Sequence, residues 1–553
     1  MKVTARQKRR WLRRLRILVQ AASLLLFLAL FRTTEFKGEY ELSPWLDIYF
    51  RANPLLALSA SLATRFLSEV FLPALILTVA TIVLGRFFCA WLCPLGGLLD
   101  FSSHFVSPRG SSPIGPGFKY YLLIFLVVTA LFQVPLAGVF DPLALLFRGL
   151  TIAVDPLFNS ALRAPFDWSY KNLPEGISNY SEGVYDFCKA YLLPYSSTVF
   201  FLTIPTGLIL LGIFLLEKWE RRFWCKKLCP LGALLGLFSR KAVLHWRPTC
   251  QWARGKGSCS ACSKVCPMDA VQESPPQLLK GECILCLDCL ASCPSKRPNI
   301  GFGGRRSKEL ALDLSRRRLV FAGFTGALLP ALGLASASRL RKPSRLIRPP
   351  GALAEEEFLN RCIRCGECMK VCINNALQPA GFEAGFEALY TPVLSPRIGY
   401  CEFNCTLCGQ VCPTGAIKTL SMEEKQQVKM GTAVFDKDRC LPYARGVPCL
   451  CCQEHCPTAD AAIKLRSVEM ENENGDIVVL DQPYVVAHLC VGCGICENKC
   501  PLPGESAIRV RRDGESRSPE EAVLFGKDAA KQSGSGSYGG QGGYGGQGGY
   551  GGQ

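Results

Sequence analysis

Three features of this chain predict an all-α, multi-span membrane domain followed by two small α+β domains. Apolar residues are concentrated before position 240, cysteines recur at short regular spacings beyond it, and one apolar run separates two cysteine-rich stretches. With 553 residues the chain is long enough for three or four domains. Lys and Arg outnumber Asp and Glu by 63 to 45, a net charge of +18. The basic residues gather beside apolar runs and no nucleic-acid-reading fold follows them, so the partner implied is a membrane and not nucleic acid.

Residues 2 to 16 hold eight Lys or Arg, and an apolar run continues from them to Phe31. By the positive-inside rule the N-terminus stays in the cytoplasm and this run is a first span. Further runs at about Val70 to Leu84, Tyr120 to Phe140 and Val199 to Leu216 approach the roughly 20 helical residues that cross a ~30 Å hydrocarbon core. Lys218, Arg221, Arg222, Lys226 and Lys227 fit a return to the cytoplasm after the fourth. This half repeats itself. Asn53-Pro54-Leu55-Leu56 precedes the second span, which ends in Cys89-Ala90-Trp91-Leu92-Cys93-Pro94-Leu95-Gly96. Asp141-Pro142-Leu143-Ala144 precedes the fourth, which ends in Cys225-Lys226-Lys227-Leu228-Cys229-Pro230-Leu231-Gly232. Residues 1–240 therefore read as a four-helix membrane domain with two C-x3-C-P motifs, whose four cysteines meet at the cytoplasmic face.

Residues 241–310 read as a cytoplasmic two-cluster domain. Ser315-Arg316-Arg317-Arg318-Leu319-Val320 opens an uncharged, moderately apolar run that closes at Ala335-Ser336-Ala337, so 315–337 reads as a twin-arginine-like signal retained as a fifth transmembrane helix. A basic, Pro-containing linker occupies 338–354, and a second cysteine-rich domain, expected in the periplasm, fills 355–512. Within it Asn474-Gly475 marks a hairpin between Ile463–Met470 and Ile477–Leu480. Residues 513–553 end in Tyr-Gly-Gly-Gln repeats that cannot bury a core and read as disordered.

The thirty cysteines suit metal better than disulfides, because nearly all fall into C-x-x-C groups. No His follows a C-x-x-C, so covalent c-type haem is excluded. Cys283-x2-Cys286-x2-Cys289-x3-Cys293-Pro294 has the spacing of a bacterial [4Fe-4S] loop. Three of its thiolates wrap three corners of one cubane, and the fourth corner comes from the last cysteine of a partner motif. Cys362, Cys365, Cys368, Cys372 and Cys490, Cys493, Cys496, Cys500 repeat the pattern, and Cys401, Cys405, Cys408, Cys412 stretch it by one residue. Cys250, Cys259, Cys262, Cys266 and Cys440, Cys449, Cys452, Cys456 share a longer first spacing. Six such quartets imply six 4Fe-4S clusters; zinc is the alternative, against which the x3-Cys endings, mostly followed by Pro, weigh. Cys266 is expected with Cys283, Cys286 and Cys289, and Cys293 with Cys250, Cys259 and Cys262. The last four motifs exchange in nested or sequential order. Cys188 and Cys451 are left over. Cys89, Cys93, Cys225 and Cys229 hold a further iron–sulfur centre, form a redox-active dithiol, or merely end helices.

These motifs carry a resemblance. Residues 1 to about 310 resemble the membrane ferredoxins of the NapH and NosR type, and residues 315 to about 512 resemble the exported ferredoxins of the NapG type, both of periplasmic nitrate reductase systems. The chain looks like the two fused. The resemblance implies two bacterial ferredoxin-like α+β domains and a bacterial inner-membrane location. It also implies a quinol dehydrogenase role, with electrons taken from the quinone pool, menaquinol or ubiquinol, and passed through 4Fe-4S clusters to a periplasmic reductase (a molybdenum enzyme) or a cytochrome. Quinol oxidation releases protons, for which Glu69 and Asp141, near outer span ends, are candidate acceptors. The rival expectation is an assembly or maturation polyferredoxin that reduces a metal or thiol in a client oxidoreductase.

Overall fold

The basic and apolar N-terminal stretches fold together as one 29-residue helix, α1 (Ala5–Thr33), against which everything that follows can be measured. The computed structural model describes residues 5–43, 45–66, 68–106, 110, 114–115, 117–172, 182–189, 193–194, 197–247, 260–271, 278–293, 299–302, 314–331, 344–471 and 477–517. Beside α1 lie shorter helices: α2 (Pro54–Thr64), α3 (Leu72–Leu84), α4 (Pro94–Ser102), α5 (Phe118–Leu131), α6 (Pro142–Gly149), α7 (Asp155–Asn172), α8 (Thr203–Leu215) and α9 (Pro230–Ser239). A π-turn at Leu150–Val154 joins α6 to α7.

The expected second, third and fourth spans contain helices of 13, 14 and 13 residues, short of the roughly 20 that a hydrocarbon core needs. Sequence alone missed the reason. Asn53, Cys93, Asp141 and Cys229 are each followed by Pro and each start a separate helix: α2, α4, α6 and α9. Proline belongs at the first helical position, where its missing N–H leaves nothing unsatisfied. Among the described residues two helical stretches are long and apolar enough to cross a membrane, Trp11–Thr33 and Pro142–Asn172. The second was not expected as a span, and it is mostly buried within the protein.

The two cysteine-rich units pack against opposite ends of this helical unit. The first meets the beginnings of α1 and α5: Arg13 pairs with Asp288 at 2.9 Å, Tyr120 donates to Glu282 at 2.8 Å, and Lys119 also pairs with Glu282. The second meets their far ends. Lys370 lies over the Phe31 ring and pairs with Asp155 at 2.7 Å, Asp155 in turn pairs with Arg32 at 3.0 Å, and Arg364 donates to the carbonyl of Pro135. Here the backbones touch, since a Cβ on Gly138 would stand 2.0 Å from the Ile363 carbonyl oxygen. Ile363 and Cys365 share one apolar core with Ala137, Phe147 and, at the other end, Ile284 and Cys286.

The expected fifth span is helical as α10 (Arg316–Ala331) and lies along α5 in the same direction. Ser315 N donates to Tyr121, Gly326 sits against Phe125 and Val128, and Leu329 packs near Leu126 and Val134. It therefore leads from the end that holds the first unit towards the end that holds the second. Ala335–Ala337 lie outside the described residues.

Each cysteine-rich unit carries two-stranded antiparallel sheets. In the first, β1 (Leu244–Arg247) pairs with β2 (Asn299–Phe302). In the second, β3 (Leu377–Pro379) pairs with β4 (Pro392–Leu394), β5 (Thr432–Phe435) with β8 (Ile508–Arg511), and β6 (Ile463–Glu471) with β7 (Ile477–Val485). The last pair is the expected hairpin, although its turn at Asn474-Gly475 lies outside the described residues. The expected linker is in part structural. Leu346 and Ile347 are buried in the second unit's core, and Arg348 is fully buried, bonded to Glu355 at 2.6 Å and to Thr391. The apolar Leu-Ile step and a guanidinium with a partner draw it in. The same holds at the far edge, where Arg517 pairs with Glu355 at 2.9 Å.

Burial raises the Glu355 pKa, but Arg348 and Arg517 outweigh it and hold the carboxyl at about 2, below its ordinary 4.5. A depressed carboxylate pKa contributes stability that is full above the unfolded value and lost as pH falls through 4.5 towards 2. Glu355→Gln leaves two buried guanidiniums short of a counter-charge and should cost the second unit about 3 kcal/mol at pH 7. Hydrogen exchange of the backbone amides of 346–394 measures this, and the gap between variant and wild type should close as pH falls towards 2.

Candidate cluster-binding sites

A C-x-x-C-x-x-C loop can turn three thiols inward only if its backbone reverses twice. In Cys283–Cys289 the residues on either side of the central cysteine, Leu285 and Leu287, have φ of 52° and 67°; in Cys362–Cys368 Arg364 and Gly366 have 57° and 93°; in Cys490–Cys496 Gly492 and Gly494 have 73° and 83°. Left-handed φ is costly for Leu and Arg, and such strain collects at functional sites. Three different sequences adopt one loop, and the stretched Cys401–Cys408 loop has no residue with positive φ.

Beneath these loops lie apolar cavities. One of about 470 Å³ is lined by Cys266, Cys283, Cys286 and Cys289. A second, about 370 Å³, is lined by Cys362, Cys365, Cys368 and Cys412, and a third, about 400 Å³, by Cys372, Cys401, Cys405 and Cys408. Farther on, Cys440, Cys449 and Cys452 gather with Cys500, and Cys490, Cys493 and Cys496 gather with Cys456. The exchange in the second unit is thus sequential and not nested. Cys262 and Cys293 are described, whereas Cys250 and Cys259 lie outside the described residues.

Backbone N–H groups point at several of these sulfurs: Ala270 N to Cys266 at 3.3 Å, Ile417 N to Cys412 at 3.4 Å and Ala462 N to Cys456 at 3.3 Å. Burial pushes the Cys283 thiol up to about 11, and Cys286, Cys372, Cys452 and Cys493 to about 12; Cys365, Cys368, Cys408 and Cys496 are raised well above the ordinary value for the same reason. Four thiolates can share such a cavity only beside concentrated positive charge, and loading must release protons. Among the described residues no three His, Cys, Asp or Glu side chains converge as ligands of a single metal ion. Four cysteines spread around an apolar cavity with N–H donors fit a polynuclear iron–sulfur group.

The second unit's four sets form a series. Cys368 is within electrostatic reach of Cys408, Cys401 of Cys493, and Cys496 of Cys452. The series begins against the helical unit, where Arg148 donates to the Arg364 carbonyl at 3.0 Å and stacks 4.0 Å from the Tyr390 ring. It ends at the Cys449 loop, beside exposed Val447 and Leu450.

Cys89, Cys93, Cys225 and Cys229 are brought together, all buried. They lie on the side of the helical unit that meets the first cysteine-rich unit, where Trp91 Nε1 donates to the Leu285 carbonyl at 3.1 Å and Lys226 pairs with Asp269, and Cys93 and Cys229 are themselves the caps of α4 and α9. Cys93 Sγ accepts from Gly96 N at 3.5 Å and Cys229 Sγ from Gly232 N at 3.2 Å. The candidate proton acceptors differ in exposure. Glu69 is exposed ahead of α3. Asp141 is wholly buried: it accepts from Leu143 N and Ala144 N, both at 3.0 Å, and from Asn53 Nδ2 at 2.7 Å. Capping accounts for its place in the fold without any proton chemistry. Sequence reading missed Arg86 and Arg222, both with no exposed surface. The signal was present, since each stands three residues before the first cysteine of its motif, in Arg86-Phe87-Phe88-Cys89 and Arg222-Phe223-Trp224-Cys225.

Comparison with known proteins agrees. A family model described as a 4Fe-4S binding domain matches residues 69–111 and 199–249, and one described as a 4Fe-4S dicluster domain matches 361–416. The chain is 39% identical over 205 residues to the methylamine utilization ferredoxin-type protein MauM of Methylorubrum extorquens, covering 35% of this chain and 88% of that protein. It is 36% identical to the ferredoxin-type protein NapG of Escherichia coli K12 (34% of this chain, 80% of the relative) and 32% identical to the ferredoxin-type protein NapF of the same organism (31% and 88%). No solved structure matches. The chain therefore contains 4Fe-4S ferredoxin domains.

The cavities make the exchange testable. Cys412→Ala should remove the cluster of Cys362, Cys365 and Cys368 while leaving that of Cys401, Cys405 and Cys408, with a loss of about four iron atoms per chain. Mass spectrometry of alkylated thiols would show the Cys362 loop newly reactive; reaction at the Cys401 loop instead would refute the grouping.

Proposed function

The chain belongs to the family of ferredoxin-type proteins that includes MauM and NapG, and on that premise we propose that it is a membrane-bound iron–sulfur protein that oxidises menaquinol or ubiquinol and passes the electrons to a periplasmic reductase or a cytochrome. Its first 310 residues act as a NapH-like half and the remainder as a NapG-like half of one fused chain. One observation carries the reading: two cysteine-lined units sit at opposite ends of a helical unit whose flanks are bare and apolar. Ile76, Ile204 and Val320, on α3, α8 and α10, are 70%, 76% and 72% exposed. Such a belt is unfavourable in water and suits lipid. Along α1 the 18 residue steps from Arg13 to Phe31 rise by about 27 Å, close to a hydrocarbon core. With the basic N-terminus in the cytoplasm, the first unit is cytoplasmic and the second periplasmic, as suits the inner membrane of a bacterium.

Six 4Fe-4S clusters are assigned to these residues. Cys266, Cys283, Cys286, Cys289 and Cys250, Cys259, Cys262, Cys293 serve the first unit. Cys362, Cys365, Cys368, Cys412; Cys372, Cys401, Cys405, Cys408; Cys456, Cys490, Cys493, Cys496; and Cys440, Cys449, Cys452, Cys500 serve the second. When bound, each cluster takes up or releases one electron at a time. The chain's own residues orient the thiols through the left-handed loop positions, exclude water, and offer N–H groups to the sulfurs, which favours the reduced state. Gly138 and Arg148 hold the Cys362 loop against the helical unit, and Val447 and Leu450 border the surface where an acceptor docks. With Asp141 committed to capping, exposed Glu69 is the carboxylate available to take protons from quinol.

In proteoliposomes, quinol should reduce the iron–sulfur absorbance, and Glu69→Gln should slow this by ~10-fold or more while dithionite reduces the variant normally. If quinol leaves every cluster oxidised although dithionite reduces them, the quinol reading falls and the maturation role takes its place. A topology reporter near Pro350 should read periplasmic.

A further inference from the structure

The repeat gives each C-x3-C-P motif only two thiols, half of what an iron–sulfur centre needs, yet the fold places the two motifs face to face. All six pairs among Cys89, Cys93, Cys225 and Cys229 lie within electrostatic reach of one another. The two arginines cross over: Arg222 of the second copy donates to the Cys89 carbonyl at 3.1 Å and the Gly96 carbonyl at 3.4 Å in the first. Arg86 of the first copy points at the second, with Nη2 2.8 Å from where a Gly232 Cβ would be. The crossing is unequal. Arg222 is bonded to Asp100 at 2.7 Å, but Arg86 uses only Nη1, on Gly281 and Glu282, while its Nε and Nη2 are buried with no hydrogen-bond partner. Trp224 Nε1, next to Cys225, is likewise buried without one. Unpartnered buried donors are rare and costly, and here they stand among four thiols and two helix N-termini. A negatively charged group fits that arrangement.

Helix α1 supplies a scale for where this site stands. Arg13 is level with Asp288 in the first unit's cysteine loop, Ser23 donates to the Leu92 carbonyl beside Cys93 at 2.7 Å, and Phe31 lies beneath Lys370 in the second unit. At 1.5 Å per residue these levels are separated by about 15 Å and about 12 Å. The four cysteines lie between the units and close to the first, since Arg86 Nη1 bonds Gly281 and Glu282 and Trp91 Nε1, between Cys89 and Cys93, donates to the Leu285 carbonyl at 3.1 Å.

We propose that Cys89, Cys93, Cys225 and Cys229 jointly hold one further iron–sulfur centre, framed by Arg86 and Arg222, through which the two cysteine-rich units exchange electrons across the helical unit. This deepens the electron-transfer reading above and rests on it. The step is a transfer of a single electron: the donor unit is oxidised by one electron, the four-thiolate centre is reduced by one and then reoxidised by the other unit, and no bond or proton moves. A crossing that would otherwise span about 27 Å becomes two shorter ones.

The test uses the full chain in sealed vesicles and the double variant Cys93→Ser, Cys229→Ser, because serine also caps helices well. Wild type should contain more iron and acid-labile sulfide than the variant by one centre and show one additional electron paramagnetic resonance signal. Dithionite outside the vesicles should reduce every cluster of the wild type; in the variant the clusters facing the lumen should stay oxidised until a membrane-permeant viologen is added. Equal iron in the two proteins, or full reduction of the variant by external dithionite, overturns the proposal, as do lumenal clusters left oxidised in the wild type. Should the double variant fail to assemble, Arg86→Gln decides: iron unchanged but the extra signal's potential shifted downward supports the site, and an unshifted signal rejects it. Dithionite bypasses quinol, so failure of quinol oxidation and failure of the relay are read separately.

Discussion

Helix N-termini inside an apolar protein must be capped, because each leaves N–H groups that water cannot reach. Four short helices of this chain start in that situation, and the rest of the helical unit follows from how they are satisfied. Two starts are joined to each other, with Asn53 capping one helix and donating to Asp141, the cap of the other. The other two are capped by sulfur, through Cys93 and Cys229. Both pairs bring distant parts of the sequence together, so the repeat in the chain becomes two coupled pairs of caps in space.

Buried charge is arranged by the same logic. Glu282 answers Arg86 and Lys119 beneath the first unit, Asp155 answers Lys370 and Arg32 beneath the second, and Glu355 answers Arg348 and Arg517 within it. Each carboxylate has two cationic partners, so losing one partner leaves charge buried beside the other, which is expensive. These clusters lie where the cysteine-rich units meet the helices or where the second unit closes on itself. They fix the units in place at these points.

The second unit solves a different problem, the alignment of four thiol sets. Its cysteine loops bend through left-handed positions and its sequential exchange ties neighbouring loops together, with the Cys401 N–H bonded to the Cys493 carbonyl at 2.9 Å. That bond joins the two halves of the series and leaves the last set beside exposed apolar side chains. Tight contact at the first set, where Gly138 admits the Ile363 carbonyl, and openness at the last give the series a direction in space.

Spacing alone determined the chemistry. Three closely spaced cysteines suit three corners of one small polynuclear group, with the fourth cysteine left for a neighbouring motif, and an Arg-rich start to an apolar run folds as a helix wherever it lies, so the cysteine loops, the hairpin strands and α10 were legible. Helix length was not, because a Pro behind a cap residue reads as a minor interruption until the start is seen to be buried. The capping by Asp141 was not legible for the same reason: its acceptors are taken by backbone groups and by Asn53, 88 positions away. The burial of Leu346, Ile347 and Arg348 depended on partners such as Glu355 and Thr391 that composition does not announce. Above all, only the tertiary structure decided that the two C-x3-C-P motifs meet between the cysteine-rich units with two unpartnered N–H groups of one guanidinium among them. A repeat states that two pieces are alike; which surfaces face each other is settled by packing.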